Sequence, residues 1–228
     1  MSLQATLKAR KALALFQKGD QAGALKLYEE AVDAGLDDMR ALLSYSVLLI
    51  REGEYQKARE LIVKIQKNPV MSAEQRQQLF VNYAACVYRL GELDKGIELL
   101  ERQHEHAHSG LIYQTLGYLY VEKGDADKAL AYNQEAVDYD DEDPICLDNL
   151  AQTYYRVLGD KETAKTWFDK AHRIKPTQID TLYFLAQYDL EAGDKAAAKE
   201  KLEKALEGRI SPLNYANAER VHAVLDTL

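Results

Sequence analysis

The chain has 228 residues, a formal net charge of −8 and a 47% hydrophobic composition, which supplies enough apolar side chains for one large folded unit or two modest ones and excludes intrinsic disorder. Its negative field repels phosphate backbones and anionic membrane surfaces, and no local basic patch overrides it, so neither nucleic acid nor membrane is an expected partner.

At the amino end, Met1 to Lys18 mixes Lys8, Arg10 and Lys11 with short apolar pairs and lacks the continuous apolar core of a secretory signal, so a cytoplasmic location is expected. The longest strongly apolar stretches, such as Leu42 to Ile50, fall well short of the roughly 18 residues that a bilayer-spanning helix needs. Only 12 Gly and 4 Pro interrupt a chain rich in Ala, Leu, Glu, Lys and Gln. That composition favours helix interiors over strands and predicts an all-α fold. Cys86 and Cys146 sit in no CxxC pair and fall within helical apolar patterns, which predicts buried structural thiols.

Along the chain a Gly is followed by an acid six times, at Gly19-Asp20, Gly53-Glu54, Gly91-Glu92, Gly124-Asp125, Gly159-Asp160 and Gly193-Asp194, with spacings of 34, 38, 33, 35 and 34 residues. Such a period, with helical composition on both sides of each Gly, is the mark of a helix-turn-helix repeat that stacks on its neighbours. Five residues after each Gly stands a small residue: Ala24, Ala58, Gly96, Ala129, Ala164 and Ala198. Another precedes it, as Ala12, Ser46, Ala84, Gly117 and Ala186, with Ala151 one place further back because the fifth repeat carries an extra residue. Two helices approach closely only where neither carries a bulky side chain, so the paired small positions predict the crossing of each antiparallel pair. Each Gly is expected to close a helix in the left-handed conformation, with the acid at the next helix N-terminus.

The pattern resembles the tetratricopeptide repeat family. The resemblance covers nearly the whole chain and implies a right-handed superhelical solenoid of antiparallel helix pairs over residues 1–228. The repeats are expected at about 5–38, 39–72, 77–109, 110–143, 144–178 and 179–211, with a capping helix over 212–228. A further small residue recurs twelve after the Gly in Ala31, Ala136, Ala171 and Ala205, but Ile65 and Gln103 break the rule. These two flank the 38-residue spacing, and the segment Asn68-Pro69-Val70-Met71-Ser72 is expected to lengthen the connection there. Pro69, Pro144, Pro176 and Pro212 all fall between repeats, where they end or start helices. The first repeat, with Lys8 and Lys11 at apolar positions, matches the pattern least.

Members of this family bind partner peptides on the side lined by the first helices of successive repeats. That implication predicts a groove for a protein or peptide ligand contacted by Arg51, Asn82, Tyr88, Arg89, Tyr118, Asn149, Gln152, Tyr155, Arg156, Tyr183 and Gln187. Asn82 and Asn149 would hydrogen-bond an extended peptide backbone, and Arg51, Arg89 and Arg156 would pair with carboxylates or stack on aromatics. Arg and Tyr often dominate interface energy, so the expected ligand is acidic or aromatic in character. The alternatives are a structural subunit of a larger complex and a repeat domain belonging to a longer protein.

Three motifs bear on chemistry. His104-Glu105-His106-Ala107-His108 matches the His-Glu-x-x-His pattern of zinc sites, but it falls at the end of a helix and offers no third ligand in sequence, so a polar helix end is the expected reading and no metal is assigned. The run Asp138 to Pro144 lacks the glycine and ligand periodicity of a calcium loop and reads as a solvated connection. No phosphate loop, nucleophile elbow or dinucleotide fingerprint is present, so neither an enzyme nor a cofactor is expected.

Overall fold

In the computed structural model, which describes residues 3–69 and 71–228, every segment of regular structure is helical. The helices are α1 (Leu3–Gln17), α2 (Gln21–Asp33), α3 (Met39–Arg51), α4 (Tyr55–Ile65), α5 (Ala73–Arg89), α6 (Leu93–His106), α7 (Gly110–Lys123), α8 (Ala126–Tyr139), α9 (Pro144–Gln152), α10 (Lys161–Ile174), α11 (Ile179–Glu191), α12 (Lys195–Leu206) and α13 (Ala218–Leu225). A π-helical turn, Thr153–Leu158, continues α9. The chain divides into two compact units, Met1–Gln103 and His104–Leu228.

All six repeat glycines adopt positive φ, between 72° at Gly159 and 87° at Gly19, and each closes the first helix of its pair. The acids that follow act according to their length. Asp20, Asp125, Asp160 and Asp194 each accept a hydrogen bond from a backbone N–H three residues on, satisfying a donor that the helix start leaves open. Glu54 makes no such bond, and Glu92 turns its carboxylate to Arg59 and Lys95.

In the first unit α1 packs on α2, α3 on α4, and α3 on α5. The small residues Ala12, Ala24, Ser46, Ala58 and Ala84 are fully enclosed. Around them Leu48, Leu49, Ile62 and Leu79 form a continuous apolar cluster. Full burial of each stabilises the fold by about 2 kcal/mol. In the second unit α7 packs on α8, α9 on α10 and α11 on α12, with α13 closing against α12. Its interior is more aromatic: Phe168 and Phe184 stack at 5.0 Å, and Phe184 stacks again on Tyr215 at 5.2 Å. At Gly117 a Cβ would strike the buried amide of Asn133, which donates to the Gly117 carbonyl at 3.2 Å and so holds α8 against α7.

The 38-residue spacing lengthens the connection, as expected, and a helix besides: seven residues join α4 to α5 where five join α2 to α3, and α5 has 17 residues where α3 has 13. Ser72 and Gln75 form a reciprocal capping box that starts α5 early, ahead of the expected boundary at residue 77. Val70, within the segment expected to cause the spacing, lies outside the described residues, as do Met1 and Ser2. The extra residue of the fifth repeat is absorbed by the π turn, where the Asp160 N–H reaches the Tyr154 carbonyl at 2.9 Å. The C-terminal capping helix is short, α13 starting only at Ala218 after the Asn217 cap.

Both cysteines are buried and unpaired, as expected. Burial pushes the Cys86 thiol up to about 12 and raises that of Cys146 further, which keeps both in the unreactive thiol form.

Candidate functional site

Arg51, Arg89 and Arg156 occupy corresponding places near the ends of first helices, shortly before Gly53, Gly91 and Gly159. Each guanidinium lies over an aromatic ring: Arg51 over Phe16 at 5.3 Å, Arg89 over Tyr55 at 5.6 Å and Arg156 over Tyr215 at 4.0 Å. Arg51 and Arg89 are exposed. Arg156 is not; its side chain is 19% exposed and pairs with Glu122 at 2.8 Å. It also donates to the Gln152 side-chain oxygen at 2.9 Å.

Behind Arg156 lies a buried polar network. The Gln152 amide donates to Asp148 at 2.7 Å and to Asp180 at 3.4 Å, so one NH2 group serves two carboxylates. Asp148 also accepts from the Thr181 hydroxyl at 2.5 Å. Asp180 accepts from the backbone N–H groups of Ala216 at 2.8 Å and Tyr215 at 3.1 Å, fixing the connection before α13 to the first turn of α11. Burial, and then the charge of Asp180, pushes the Asp148 carboxyl up to about 7. Burial likewise raises Asp180, against the pull of the two backbone donors. The Tyr215 ring, thus anchored, is flanked by Arg156 and by the exposed Arg220, each at 4.0 Å.

The two asparagines expected to meet a peptide backbone are turned into the fold. Asn82 is 5% exposed and donates to the Ser46 hydroxyl at 2.9 Å while accepting from Gln78 at 2.7 Å. Asn149 is 2% exposed and donates to the Gln114 carbonyl at 2.8 Å. Both tie one first helix to the first helix before it, an arrangement made possible by the small residues that let the helices approach.

Tetratricopeptide-repeat family models match residues 9–69 and 111–143. Among known proteins, the photosystem I assembly protein Ycf3 of a Prochlorococcus marinus strain is 27% identical over 154 residues, covering 63% of this chain and 87% of that protein. Ycf3 of Rippkaea orientalis is 31% identical over 85 residues, 35% of this chain and 49% of that protein. The chain contains tetratricopeptide repeats. Its fold resembles that of PilW, a type IV pilus biogenesis factor, at a TM-score of 0.68 and 18% identity over 99% of this chain and 100% of that one. It also resembles the C-terminal part of a repeat protein from Cytophaga hutchinsonii, with a TM-score of 0.58 and 19% identity over 87% of this chain and 78% of that one. Tetratricopeptide-repeat proteins act as protein-interaction or assembly scaffolds. Among the described residues no helix is long and apolar enough to cross a membrane.

Within the repeat framework the remaining expected contact residues separate. Tyr118 is buried and Tyr88 half-buried. Tyr155 packs against Phe184 at 5.0 Å and Tyr188 at 5.7 Å, drawn into the aromatic core as the chain passes through the π turn. Tyr183 lies half-buried beside Tyr215 at 5.8 Å, and Gln187 donates to the Tyr183 carbonyl at 3.3 Å. The second unit therefore brings Arg156 and Tyr183 against Tyr215, with Gln152 bonded to Arg156 behind them. Asp148, Asp180, Tyr215 and Arg220 escaped the sequence reading. The one available signal was the extra residue of the fifth repeat, which marked a local change without saying which side chains it would turn inward.

Proposed function

We propose that this tetratricopeptide-repeat protein is an assembly scaffold that holds an acidic segment of a partner protein against the first helices of its amino-terminal unit, with Arg51 and Arg89 as the charged contacts. The reading is carried by one observation: both guanidinium groups are exposed and already oriented over rings, Phe16 and Tyr55. A pre-oriented guanidinium loses less freedom when it receives a carboxylate in its planar fork. The printed roles of Ycf3 and PilW, assembly of photosystem I and biogenesis of a pilus, support an assembly role in kind but name no partner for this chain. Arg156 is a poor reader of acidic ligands, because Glu122 neutralises it; its part is to hold Tyr215, beside which Tyr183 and Gln187 offer amphipathic contact. Two unpaired buried thiols accord with a cytoplasmic site of action, and the reading includes no catalytic step.

Affinity capture from the source cell, followed by titration of the purified partner, tests the proposal. The Arg51→Glu/Arg89→Glu variant is expected to lower affinity at least ten-fold, about 1.4 kcal/mol, with the loss shrinking as salt rises. Unchanged affinity in that variant rejects the arginine contacts. Arg156→Glu is not a suitable probe, since it breaks the internal network.

A second reading, a subunit fixed in a larger complex, draws on Leu3 and Leu7, which stand one turn apart on α1 at 77% and 49% exposure. Sedimentation separates the two. Self-association that Leu3→Lys/Leu7→Lys removes favours the subunit, and a monomer at all concentrations favours the adaptor.

A further inference from the structure

His104, His108 and Glu135 are brought together in the second unit although 31 residues separate His104 from Glu135. His104 sits on the last turn of α6; the helix stops at His106, so His108 belongs to the short connection before α7, and Glu135 comes from α8. The His104 Nε2 lies 3.3 Å from the Glu135 Oε1, and the His108 Nδ1 lies 3.8 Å from the same oxygen. One donor atom from each of the three residues falls within 4.8 Å of the others. A tetrahedral zinc ion with bonds of about 2.0–2.1 Å sets its ligands about 3.4 Å apart, so these donors need only a small inward movement to share one ion.

The surroundings are built, not incidental. The His104 ring is held edge-on by Tyr113 at 4.8 Å and Tyr132 at 5.1 Å, two buried tyrosines. The Tyr132 hydroxyl lies 3.5 Å from the His104 Nδ1, the nitrogen on the far side from Glu135. An outer partner at that atom favours the tautomer whose Nε2 lone pair faces the ion. The Tyr113 hydroxyl donates to Glu135 at 2.7 Å and lies 2.8 Å from the His108 Nδ1, spanning two of the three donors. The side chains of His108 and Glu135 are 55% and 51% exposed, which leaves an entry path from solvent. The net negative charge of the chain favours cation approach.

We propose that His104, His108 and Glu135 form a binding site for a zinc-class divalent cation, with the fourth position open to water. Two imidazoles and one carboxylate select zinc and its borderline neighbours over calcium and magnesium, which prefer all-oxygen sites. The bound ion ties the connection between α6 and α7 to α8, so its role is to stiffen that junction of the second unit. No step of the scaffold reading depends on it.

The test is titration of the intact, chelator-stripped chain with Zn(II) against a competing chromophoric chelator, and with Co(II) read by its visible absorption. One equivalent is expected to bind. His104→Ala, His108→Ala and Glu135→Gln are each expected to weaken binding at least about ten-fold, while His106→Ala, on the same helix but outside the cluster, leaves it intact. Circular dichroism confirms that each variant stays folded, and the isosteric Glu135→Gln keeps the test valid if an alanine variant does not. Failure of the intact chain to take up one equivalent, or uptake that His106→Ala reduces as much as His104→Ala does, overturns the proposal.

Discussion

From α1 to α5 the buried side chains are almost all hydrocarbon, with Ser46 and Asn82 the polar ones among the described residues. From α7 to α13 nine polar side chains are buried: Thr115, Asn133, Asp148, Asn149, Gln152, Thr153, Gln178, Asp180 and Thr181. The same repeat, with the same glycine bends and small-residue crossings, therefore supports two kinds of interior. An apolar interior depends on area and tolerates small errors of position. A polar one depends on every donor finding its acceptor, because a buried group left unpaired costs about 1–3 kcal/mol. The first unit leaves its arginines outside on aromatic supports, whereas the second folds Arg156 into its own structure.

The largest expected effect falls on Asp180. Its carboxylate satisfies the Ala216 and Tyr215 N–H groups and shares Gln152 with Asp148. Asp180→Ala strands those donors and is expected to destabilise the second unit by about 3 kcal/mol. Hydrogen exchange on the intact chain, read by segment, should show lost protection after His104 and little change before it. Equal loss in both units would break the comparison.

A pH series sharpens it with a smaller effect. An ordinary Asp titrates near 3.9 in an unfolded chain, and Asp148 is raised to about 7 by burial beside Asp180. Between those values the folded form holds a proton that the unfolded form has lost. Stability contributed by that protonation is complete at low pH and disappears as pH climbs through the upper value. Lowering the pH from 8 to 5 should therefore add roughly 2–3 kcal/mol to the second unit through Asp148. Asp148→Asn should flatten the response. The first unit should stay level in that window, because its shifted carboxyls, Glu30 bonded to Lys8 and Glu92 bonded to Lys95, are held low and titrate beneath it. Segment-resolved exchange corrected for intrinsic rate, or urea midpoints at the two pH values, decides the matter.

The asymmetry between the units also explains what the sequence made legible. Glycine bends, crossing residues and prolines each have one physical use, so their spacing gave the helix pairs and the family. The same register places Arg51 and Arg89 at the ends of first helices, α3 and α5. Asn82 and Asn149 were misread because periodicity assigns a residue to a helix face but not to the neighbour it meets there. A carbonyl or hydroxyl of the preceding repeat reached both amides before any ligand could. The added turn of α5 and the π turn were likewise hidden: a spacing of 38 or 35 counts extra residues without locating them. Glu135 could not be joined to His104 from sequence, since their approach depends on how α8 lies along the end of α6.

The smallest expected effect tests whether the first unit, too, has an unmet polar demand. Four of the six bends carry Asp, whose short carboxylate reaches a backbone donor of the helix it begins; Glu54 carries one methylene more and makes no capping bond, its oxygen lying 3.4 Å from Lys57 instead. Glu54→Asp should restore the missing bond and stabilise α4 by about 0.5–1 kcal/mol, while the exposed pair with Lys57 contributes little to lose. Exchange protection in α3 and α4 should rise with no change after His104. If it does not, the donor at the start of α4 is already served by water, and the apolar unit loses nothing by leaving it open.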